Sequence, residues 1–212
     1  MEQHSCGLLI FDGMFHPPWL GRRNLERSLR SVPGWDFLRI SSVEKLPQLP
    51  LDSFQCMALY FHHKRVSPSA LDSLDRYVKE GGGLLVVHCA SASFKKQPQY
   101  FQILGGCFRE HGSVHELRID PTNGENGPFS GIPTFTVRDE PFRHEYESIN
   151  QIHFTTTIEG EIEPVLWTKE QGKGRVCYCS LGHTIEATRN PHVLEILRRG
   201  LLWCAGTPLE AI

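Results

Sequence analysis

The chain has 212 residues, of which 40% are hydrophobic and 22% charged, and its formal net charge is −2. These values are typical of a soluble globular protein, and so small a net charge does not favour nucleic acid or an anionic membrane as a partner. No apolar run approaches the roughly 20 residues that a membrane-spanning helix needs, and the first residues lack the basic segment of a signal peptide. We therefore expect neither a nucleic-acid-binding protein nor a membrane protein.

Apolar runs alternate with amphipathic segments in the first half of the chain. The predicted strands are Gly7–Phe11, Trp35–Ile40, Gln55–Phe61 and Leu84–Val87, and the predicted helices are Gly21–Ser31 and Pro68–Glu80. Ser67 before Pro68 is a strong helix start, because serine can accept bonds from the first N–H groups and proline at the first position removes no needed donor. Strands that alternate with helices favour a parallel α/β sheet with right-handed crossovers.

In the second half of the chain, most of the predicted elements are strands joined by turn-forming residues. We predict a short helix over Pro98–Leu104, a loop over Pro121–Gly131 and a final helix from Asn190 to about Gly206; the predicted strands are Ser113–Ile119, Ile152–Ile158, Pro164–Thr168 and Gly174–Leu181. Successive strands joined by turn-forming residues favour antiparallel hairpins that continue the sheet. No repeat or linker divides the sequence, so we expect one domain over residues 1–212.

Cysteine usage indicates a reducing compartment. The chain has seven cysteines, an odd number, and most of them lie inside apolar runs. This arrangement is more typical of buried free thiols than of a disulfide framework, and no CxxC motif suggests structural zinc. We expect a cytoplasmic location.

The stretch from Gly81 to Phe94 is the most informative part of the sequence. The apolar run Leu84–Val87 is typical of a buried parallel strand, and it ends abruptly in His88 and Cys89, followed by small residues. Small side chains allow a sharp turn at the carboxyl edge of the sheet, where open α/β sheets bind their ligands. A strand-to-helix elbow of this kind presents the nucleophile in hydrolases.

Histidines are the main candidates for chemistry at that edge. Of eleven histidines, His16, His88 and His183 each follow an apolar strand run, so a parallel sheet would bring them to the same edge. We expect His88 and His183 to line one pocket, with imidazoles no more than about 12 Å apart. Asp139 and Glu140, predicted to lie between strands, supply carboxylates.

A series of motifs spans nearly the whole chain in a fixed order: Gly81-Gly82-Gly83 with His88, Phe94, Tyr100, Gly105-Gly106, Phe108, His111, Asp139-Glu140, Pro164–Trp167, Gly172–Val176, Gly182-His183, Gly200 and Trp203. Together they resemble the ThuA-like (trehalose utilisation) domain family. The resemblance implies an α/β, flavodoxin-like three-layer sandwich of the class I glutamine amidotransferase type, with a parallel sheet extended by antiparallel strands. It also implies a role in carbohydrate metabolism.

The sequence departs from the related amidotransferases and from the ThuA-like pattern in ways that affect chemistry. In amidotransferases the elbow carries a nucleophilic cysteine, whereas here His88 occupies the elbow and Cys89 falls one residue later. His183 and Glu186 resemble the amidotransferase His and Glu, but with one extra residue between them. A shift of one residue on a tight turn redirects the side chain, so we expect Cys89 to point into the core. ThuA-like domains usually carry a tyrosine where Phe142 stands.

Three functions are compatible with these residues. The first is a carbohydrate-active enzyme of ThuA type, an isomerase, lyase or hydrolase, that acts on a sugar or keto-sugar by proton transfer. The second is a cysteine hydrolase or amidotransferase-like enzyme that uses Cys89, His183 and Glu186. The third is a non-catalytic sugar-binding or interaction domain that retains only the fold.

For the first function, the candidate catalytic residues are His88, His183 and Glu140, and the candidate substrate-binding residues are His16, Tyr100, His111, Asp139 and Phe142. The expected partner is a small sugar-type molecule, and a homo-oligomer is possible.

The sequence alone does not decide whether the protein binds a metal ion. His16, His88, His111 and His183 with Glu140 offer ligands suited to a divalent ion, but no pair has the short helical spacing of HExxH. Imidazoles at a sugar-binding edge also act as hydrogen-bonding groups to hydroxyls. We therefore assign no residue as a metal ligand and treat the histidines first as proton-transfer and sugar-contacting groups.

Overall fold

The computed structural model describes residues 4–12, 18–122 and 127–208. Within these ranges the helices are α1 (Trp19–Arg30), α2 (Pro68–Glu80), α3 (Pro98–Leu104) and α4 (Pro191–Ala205). The strands are β1 (Ser5–Phe11), β2 (Trp35–Ile40), β3 (Cys56–Tyr60), β4 (Gly83–Val87), β5 (Gly106–His111), β6 (His115–Pro121), β7 (Phe135–Asp139), β8 (Phe142–Tyr146), β9 (Gln151–Ile158), β10 (Glu161–Gln171) and β11 (Gly174–Cys179). None of the helices in the described ranges has the length and hydropathy to cross a membrane.

Nine of the described strands form one sheet in the order β2-β1-β3-β4-β11-β10-β9-β6-β7. The first five strands in this order pair in parallel, and the last four are joined by antiparallel pairings. The parallel half and its antiparallel extension confirm the fold class predicted from the sequence. Since β4 and β11 are parallel neighbours, the segments that follow them emerge side by side at the carboxyl edge.

Both faces of the sheet are covered. In β1, Leu9 and Phe11 belong to the core under α1 and α4, whereas Leu8 and Ile10 belong to the core under α2 and α3. This alternation follows from the two-residue period of a strand, and burial on both faces explains why the parallel strands are apolar throughout. The result is a three-layer arrangement with the sheet in the middle.

The predicted helix boundaries in this part of the chain follow from local chemistry. The Ser67 hydroxyl accepts the N–H of Ala70 at 3.3 Å at the start of α2. Gly81 ends α2 with φ 126°, a conformation that strongly favours glycine. Gly83 then begins β4, where a Cβ would lie only 2.6 Å from the backbone of Cys204 in α4. The glycine run therefore allows both the helix end and the close contact of α4 with the sheet.

The sequence did not predict β5, β7 and β8. Strands β5 and β8 form a separate two-stranded antiparallel sheet. Both carry several charged or histidine side chains, so their apolar alternation is too weak to predict a strand. The Ser113–Ile119 prediction is displaced by two residues from β6, and the strand predicted over Gly174–Leu181 ends at Cys179.

Candidate active site

The junction after β4 forms the first part of the site. Strand β4 ends at Val87, and His88–Ala92 forms a short 3-10 helix. His88 has φ 46°, a left-handed conformation that costs a residue with a Cβ on the order of 1–3 kcal/mol. Its imidazole is fully buried. The sharp elbow predicted from the sequence is present, and His88 stands at its corner.

One hydrogen bond orients the His88 ring. Nδ1 lies 2.7 Å from the carbonyl oxygen of Ser180, which can only accept, so Nδ1 carries a proton and donates it. In the neutral ring, Nε2 then carries the lone pair. Nε2 lies 3.3 Å from Nδ1 of His183. The fold therefore presents the basic nitrogen of His88 to a second imidazole.

The loop after β11 supplies that second imidazole. Gly182 in this loop has φ 134°, a conformation that residues with a Cβ rarely adopt, so glycine allows the turn that brings His183 to the elbow. The ring centroids of His88 and His183 are 5.3 Å apart. This separation is well within the limit of about 12 Å for one small-ligand pocket.

Asp139, the last residue of β7, holds the His183 loop. Its buried carboxylate accepts the N–H of Gly182 at 2.6 Å through Oδ2 and the N–H of Thr184 at 2.9 Å through Oδ1. Burial raises the pKa of Asp139 to about 7, although these backbone donors act in the opposite direction. The two bonds flank His183 in the chain, so Asp139 restricts where the His183 imidazole can stand.

Glu140 lies among three imidazoles. Its Oε2 is 3.3 Å from Nδ1 of His183 and 3.8 Å from Nε2 of His88. Its Oε1 is 3.0 Å from Nδ1 of His111, the last residue of β5. We call His88, His111, Glu140 and His183 the histidine–glutamate cluster. It joins the ends of strands from both sheets.

The histidine–glutamate cluster runs from the interior to the surface. The exposed side-chain fractions are 0% for His88, 9% for Glu140, 25% for His183 and 52% for His111. A ligand that arrives from solvent would therefore meet His111 and His183 first, and His88 lies at the inner end.

Aromatic rings form one wall of the cluster. The nearly buried Phe142 packs on the His88 ring with centroids 4.2 Å apart and on Phe108 at 4.6 Å. This wall excludes water from one side of His88, which strengthens electrostatic interactions there. The phenyl group stands where the ThuA-like pattern usually has a tyrosine, so no hydroxyl is offered at this position.

The sequence did not predict a buried hydrogen-bond network that lies behind the elbow. Nε2 of His144 lies 2.9 Å from the Tyr178 hydroxyl, which lies 2.9 Å from Oγ of Ser91. Ser91 in turn donates to the carbonyl oxygen of His88 at 3.0 Å. Burial lowers the pKa of His144 to about 3. The two-residue spacing of Phe142 and His144 could have placed both on one strand face, but only if β8 had been recognised.

The other predicted site residues have varied positions. Tyr100 is fully buried, and its hydroxyl donates to the carbonyl oxygen of Ala90 at 2.9 Å, so it packs beneath the elbow rather than beside the cluster. Asp139 touches the backbone around His183 and is also fully buried. The prediction for His16 falls outside the described residues.

Cys89 does not lie in the position of a nucleophile. Its side chain is fully buried, and burial raises the pKa of its thiol well above the ordinary value. Glu186, its proposed distant partner, is exposed. Cys89 therefore points into the core, as the shifted register of the elbow predicts.

The innermost members of the cluster have a donor set that fits a divalent metal. The ligand atoms of His88, Glu140 and His183 all lie within 4.8 Å of one another. Their separations are 3.3, 3.3 and 3.8 Å, whereas tetrahedral zinc with bonds near 2.0–2.1 Å has ligand atoms about 3.4 Å apart. Three protein ligands with a fourth position open are typical of catalytic zinc.

Comparisons with known proteins agree with this fold. A family model described as ThuA, trehalose utilisation, matches residues 34–204. No curated protein matches the sequence. Among solved structures, a ThuA-like protein from Parabacteroides merdae ATCC 43184 has a TM-score of 0.85 and 19% identity, with 97% of this chain and 91% of that chain covered.

Two further solved structures show the same fold. A ThuA-like protein from Bacteroides uniformis ATCC 8492 has a TM-score of 0.81 and 14% identity, with 95% of this chain and 91% of that chain covered. A β-galactosidase from Bacillus circulans sp. alkalophilus has a TM-score of 0.71 and 12% identity, with 97% of this chain but only 32% of that chain covered. Because the family model covers most of the sequence, the chain belongs to the ThuA (trehalose utilisation) family.

Proposed function

We propose that this protein is a carbohydrate-active enzyme that acts on a sugar or keto-sugar by proton transfer among His88, Glu140 and His183. The observation that carries the proposal is the convergence of two imidazoles and one carboxylate within 4.8 Å at the carboxyl edge of the sheet. The family is named for trehalose utilisation, which supports a carbohydrate-related role. Imidazole and carboxylate are the groups that general acid–base catalysis requires.

The hydrogen bonds suggest separate roles for His88, Glu140 and His183 in the reaction. Nε2 of His88 carries the lone pair and takes a proton from the carbon next to a sugar carbonyl. Glu140 accepts from Nδ1 of His183, so that the doubly protonated imidazole can donate from Nε2 to the carbonyl oxygen as negative charge develops there. Return of the proton to the former carbonyl carbon, with loss of the hydroxyl proton from the adjacent carbon's oxygen, gives isomerisation. Departure of a hydroxyl group from the next carbon, with a proton from an imidazolium to form water, gives elimination. No net oxidation or reduction occurs in either outcome.

A metal-assisted form of the same reaction is the second candidate, and the near-tetrahedral spacing of the three ligand atoms favours it. His88, Glu140 and His183 would hold the ion. A bound divalent ion would supply Lewis-acid polarisation of a carbonyl or hydroxyl oxygen.

The geometry does not favour the cysteine-hydrolase hypothesis. A nucleophilic thiol must ionise readily, whereas burial raises the pKa of the Cys89 thiol well above its ordinary value, and Glu186, the carboxylate of the hypothesis, is exposed. The non-catalytic hypothesis predicts a different result: a sugar-binding domain would bind the sugar without converting it to a product.

Deuterium exchange tests the proposal. The protein is incubated in D2O with fructose, glucose or the 6-phosphate of either, and the recovered sugars are analysed by NMR and mass spectrometry for carbon-bound deuterium, isomerisation or elimination. We expect reaction with at least one sugar, slowed at least 100-fold in His88→Ala and Glu140→Gln but not in His115→Ala, an exposed histidine outside the cluster. Saturable sugar binding without reaction would support the non-catalytic hypothesis. Absence of both binding and reaction would contradict a carbohydrate role.

The proposal includes a small-molecule partner and a cytoplasmic location. All seven cysteines are free thiols, which suits a reducing compartment.

A further inference from the structure

A second feature of the carboxyl edge is a cavity of about 300 Å³ beside the elbow. Its lining comes from the segment after β3 and the segment after the 3-10 helix at His88–Ala92: His62, His63, Lys64, Ala92, Phe94, Lys95 and Lys96. The backbone N–H of Phe94 donates to the carbonyl oxygen of His63 at 3.0 Å, so the two segments are tied together. The cavity therefore belongs to the ordered framework of the sheet edge.

The cavity is within reach of a ligand held at the histidine–glutamate cluster. His88 begins the 3-10 helix, and Ala92 at its end lines the cavity. At about 2 Å of rise per residue, the two Cα atoms lie roughly 8 Å apart. The cavity and the cluster are therefore neighbours at the same edge of the sheet.

Most of the surface that lines the cavity is apolar, and its charged residues are all basic. Lys64, Lys95 and Lys96 are exposed, and none of the ion pairs found among the described residues involves these three amines. The described residues of the lining include no carboxylate, and the nearby Asp12 lies 2.9 Å from Nε2 of His63. This basic concentration contrasts with the net charge of −2 for the whole chain.

Lys95 connects the cavity with the cluster through aromatic contacts. Its Nζ lies 5.0 Å from the centroid of Phe108, which packs on Phe142, the ring that contacts His88. A cation over the face of a ring is attracted to it, so the phenyl group helps to hold the ammonium at the border between the two regions.

We infer that this basic cavity binds an anionic group of the substrate, a phosphate monoester or a carboxylate, while the sugar carbons lie at the histidine–glutamate cluster. Lysine ammonium groups form charge-assisted hydrogen bonds with both anions. The inference rests on the proposed function, because it names the substrate class of the same edge: an anionic sugar rather than a neutral one.

Calorimetric binding measurements test the inference with four probes: inorganic phosphate, glucose 6-phosphate, gluconate and glucose. Binding is compared between the unchanged protein, the double variant Lys64→Gln/Lys95→Gln and the control Lys45→Gln/Lys173→Gln. The control removes the same two charges from exposed lysines outside the cavity, and Lys173 lies in the turn before β11, at the opposite edge of the sheet.

We expect one of the anionic sugars to bind at least tenfold more tightly than glucose. This preference should fall at least tenfold in Lys64→Gln/Lys95→Gln and persist in the control variant. The stronger of glucose 6-phosphate and gluconate identifies the anion as phosphate or carboxylate. Equal affinity for glucose and both anionic sugars, equal losses in the two double variants, or no binding of any anionic probe would each overturn the inference.

The probes also separate this inference from the proposed function. If inorganic phosphate binds and its binding is lost only in Lys64→Gln/Lys95→Gln, while no sugar binds or reacts, the anion site stands and the carbohydrate proposal fails. If glucose binds and reacts with no advantage for either anionic sugar, the proposed function stands and the anion site fails.

Discussion

The Asp139 carboxylate accepts the backbone N–H of Gly182 at 2.6 Å, one residue before His183. Its other oxygen accepts the N–H of Thr184, one residue after His183. The acidic pair therefore has two separate tasks: Asp139 holds the backbone around an imidazole, and Glu140 contacts the imidazole itself. The adjacent carboxylates of Asp139 and Glu140 at the end of β7 thus position the loop that follows β11.

Removal of the Asp139 carboxylate should disorder the His183 loop. Asp139→Ala leaves two backbone N–H groups without their acceptor, and each buried unsatisfied group costs roughly 1–3 kcal/mol. Asp139→Asn keeps one acceptor oxygen and should be intermediate. We expect kcat to fall more than KM rises, because a displaced His183 impairs the chemical step. Asp52→Ala, at an exposed site, is the control. Unchanged kcat and thermal stability in Asp139→Ala would contradict this role.

The two halves of the fold differ in how far the sequence predicts them. Buried parallel strands must be apolar on both faces, so β1, β3 and β4 can be recognised in the sequence as apolar runs. The order of strands and helices along the chain then predicts the parallel sheet. The small antiparallel sheet has no such constraint. The exposed half of β5 and much of β8 carry charged side chains, which hides their strand character.

The same difference explains what could be predicted of the site. His88 and His183 follow the buried strands β4 and β11, so their meeting was expected from topology. The contact of His111 with Glu140 depends on β5, which the sequence did not indicate. The family motif that contains Tyr100 does not reveal where its side chain points, and the hydroxyl donates to the carbonyl oxygen of Ala90 within the core. Long-range pairing and side-chain direction are the parts that local pattern does not determine.

Adjacent substitutions at the elbow should have opposite consequences. His88→Ala removes the lone-pair nitrogen at the inner end of the cluster and should lower kcat by about 10²–10⁴. Cys89→Ala removes a fully buried thiol and should retain kcat within a few-fold, with a modest loss of thermal stability. Steady-state kinetics and thermal unfolding of both variants provide the comparison. An inactive Cys89→Ala with an active His88→Ala would restore the cysteine-hydrolase hypothesis.

The spacing of the cluster predicts one zinc-binding site per chain. Zn²⁺ added to metal-stripped protein without a histidine tag should raise the melting temperature, since a ligand at 100 times its Kd stabilises the folded state by about 2.7 kcal/mol. We expect this effect to disappear in His88→Ala and Glu140→Ala and to persist in His115→Ala. Binding that survives His88→Ala would show that the ion sits elsewhere. Activity that requires the added metal would favour the metal-assisted mechanism.

His144 should make the protein less stable in mild acid. Burial lowers its pKa from the ordinary value of 6.5 to about 3, so between these values the unfolded chain binds a proton that the folded chain does not. The free energy of unfolding therefore decreases as pH falls from about 6.5 towards 3, with a slope of about 1.4 kcal/mol per pH unit from this group. Below about pH 3 the folded chain binds the proton as well, and this contribution levels off.

Urea denaturation at several values between pH 4 and 7 measures this slope. In His144→Gln the titrating group is absent while an amide remains able to bond with the Tyr178 hydroxyl, so the curve of unfolding free energy against pH should be flatter by up to about 1.4 kcal/mol per unit. His153, whose pKa burial lowers to about 4, contributes equally to both proteins and cancels in the comparison. Parallel curves for the unchanged protein and His144→Gln would mean that the folded chain protonates His144 as readily as the unfolded one.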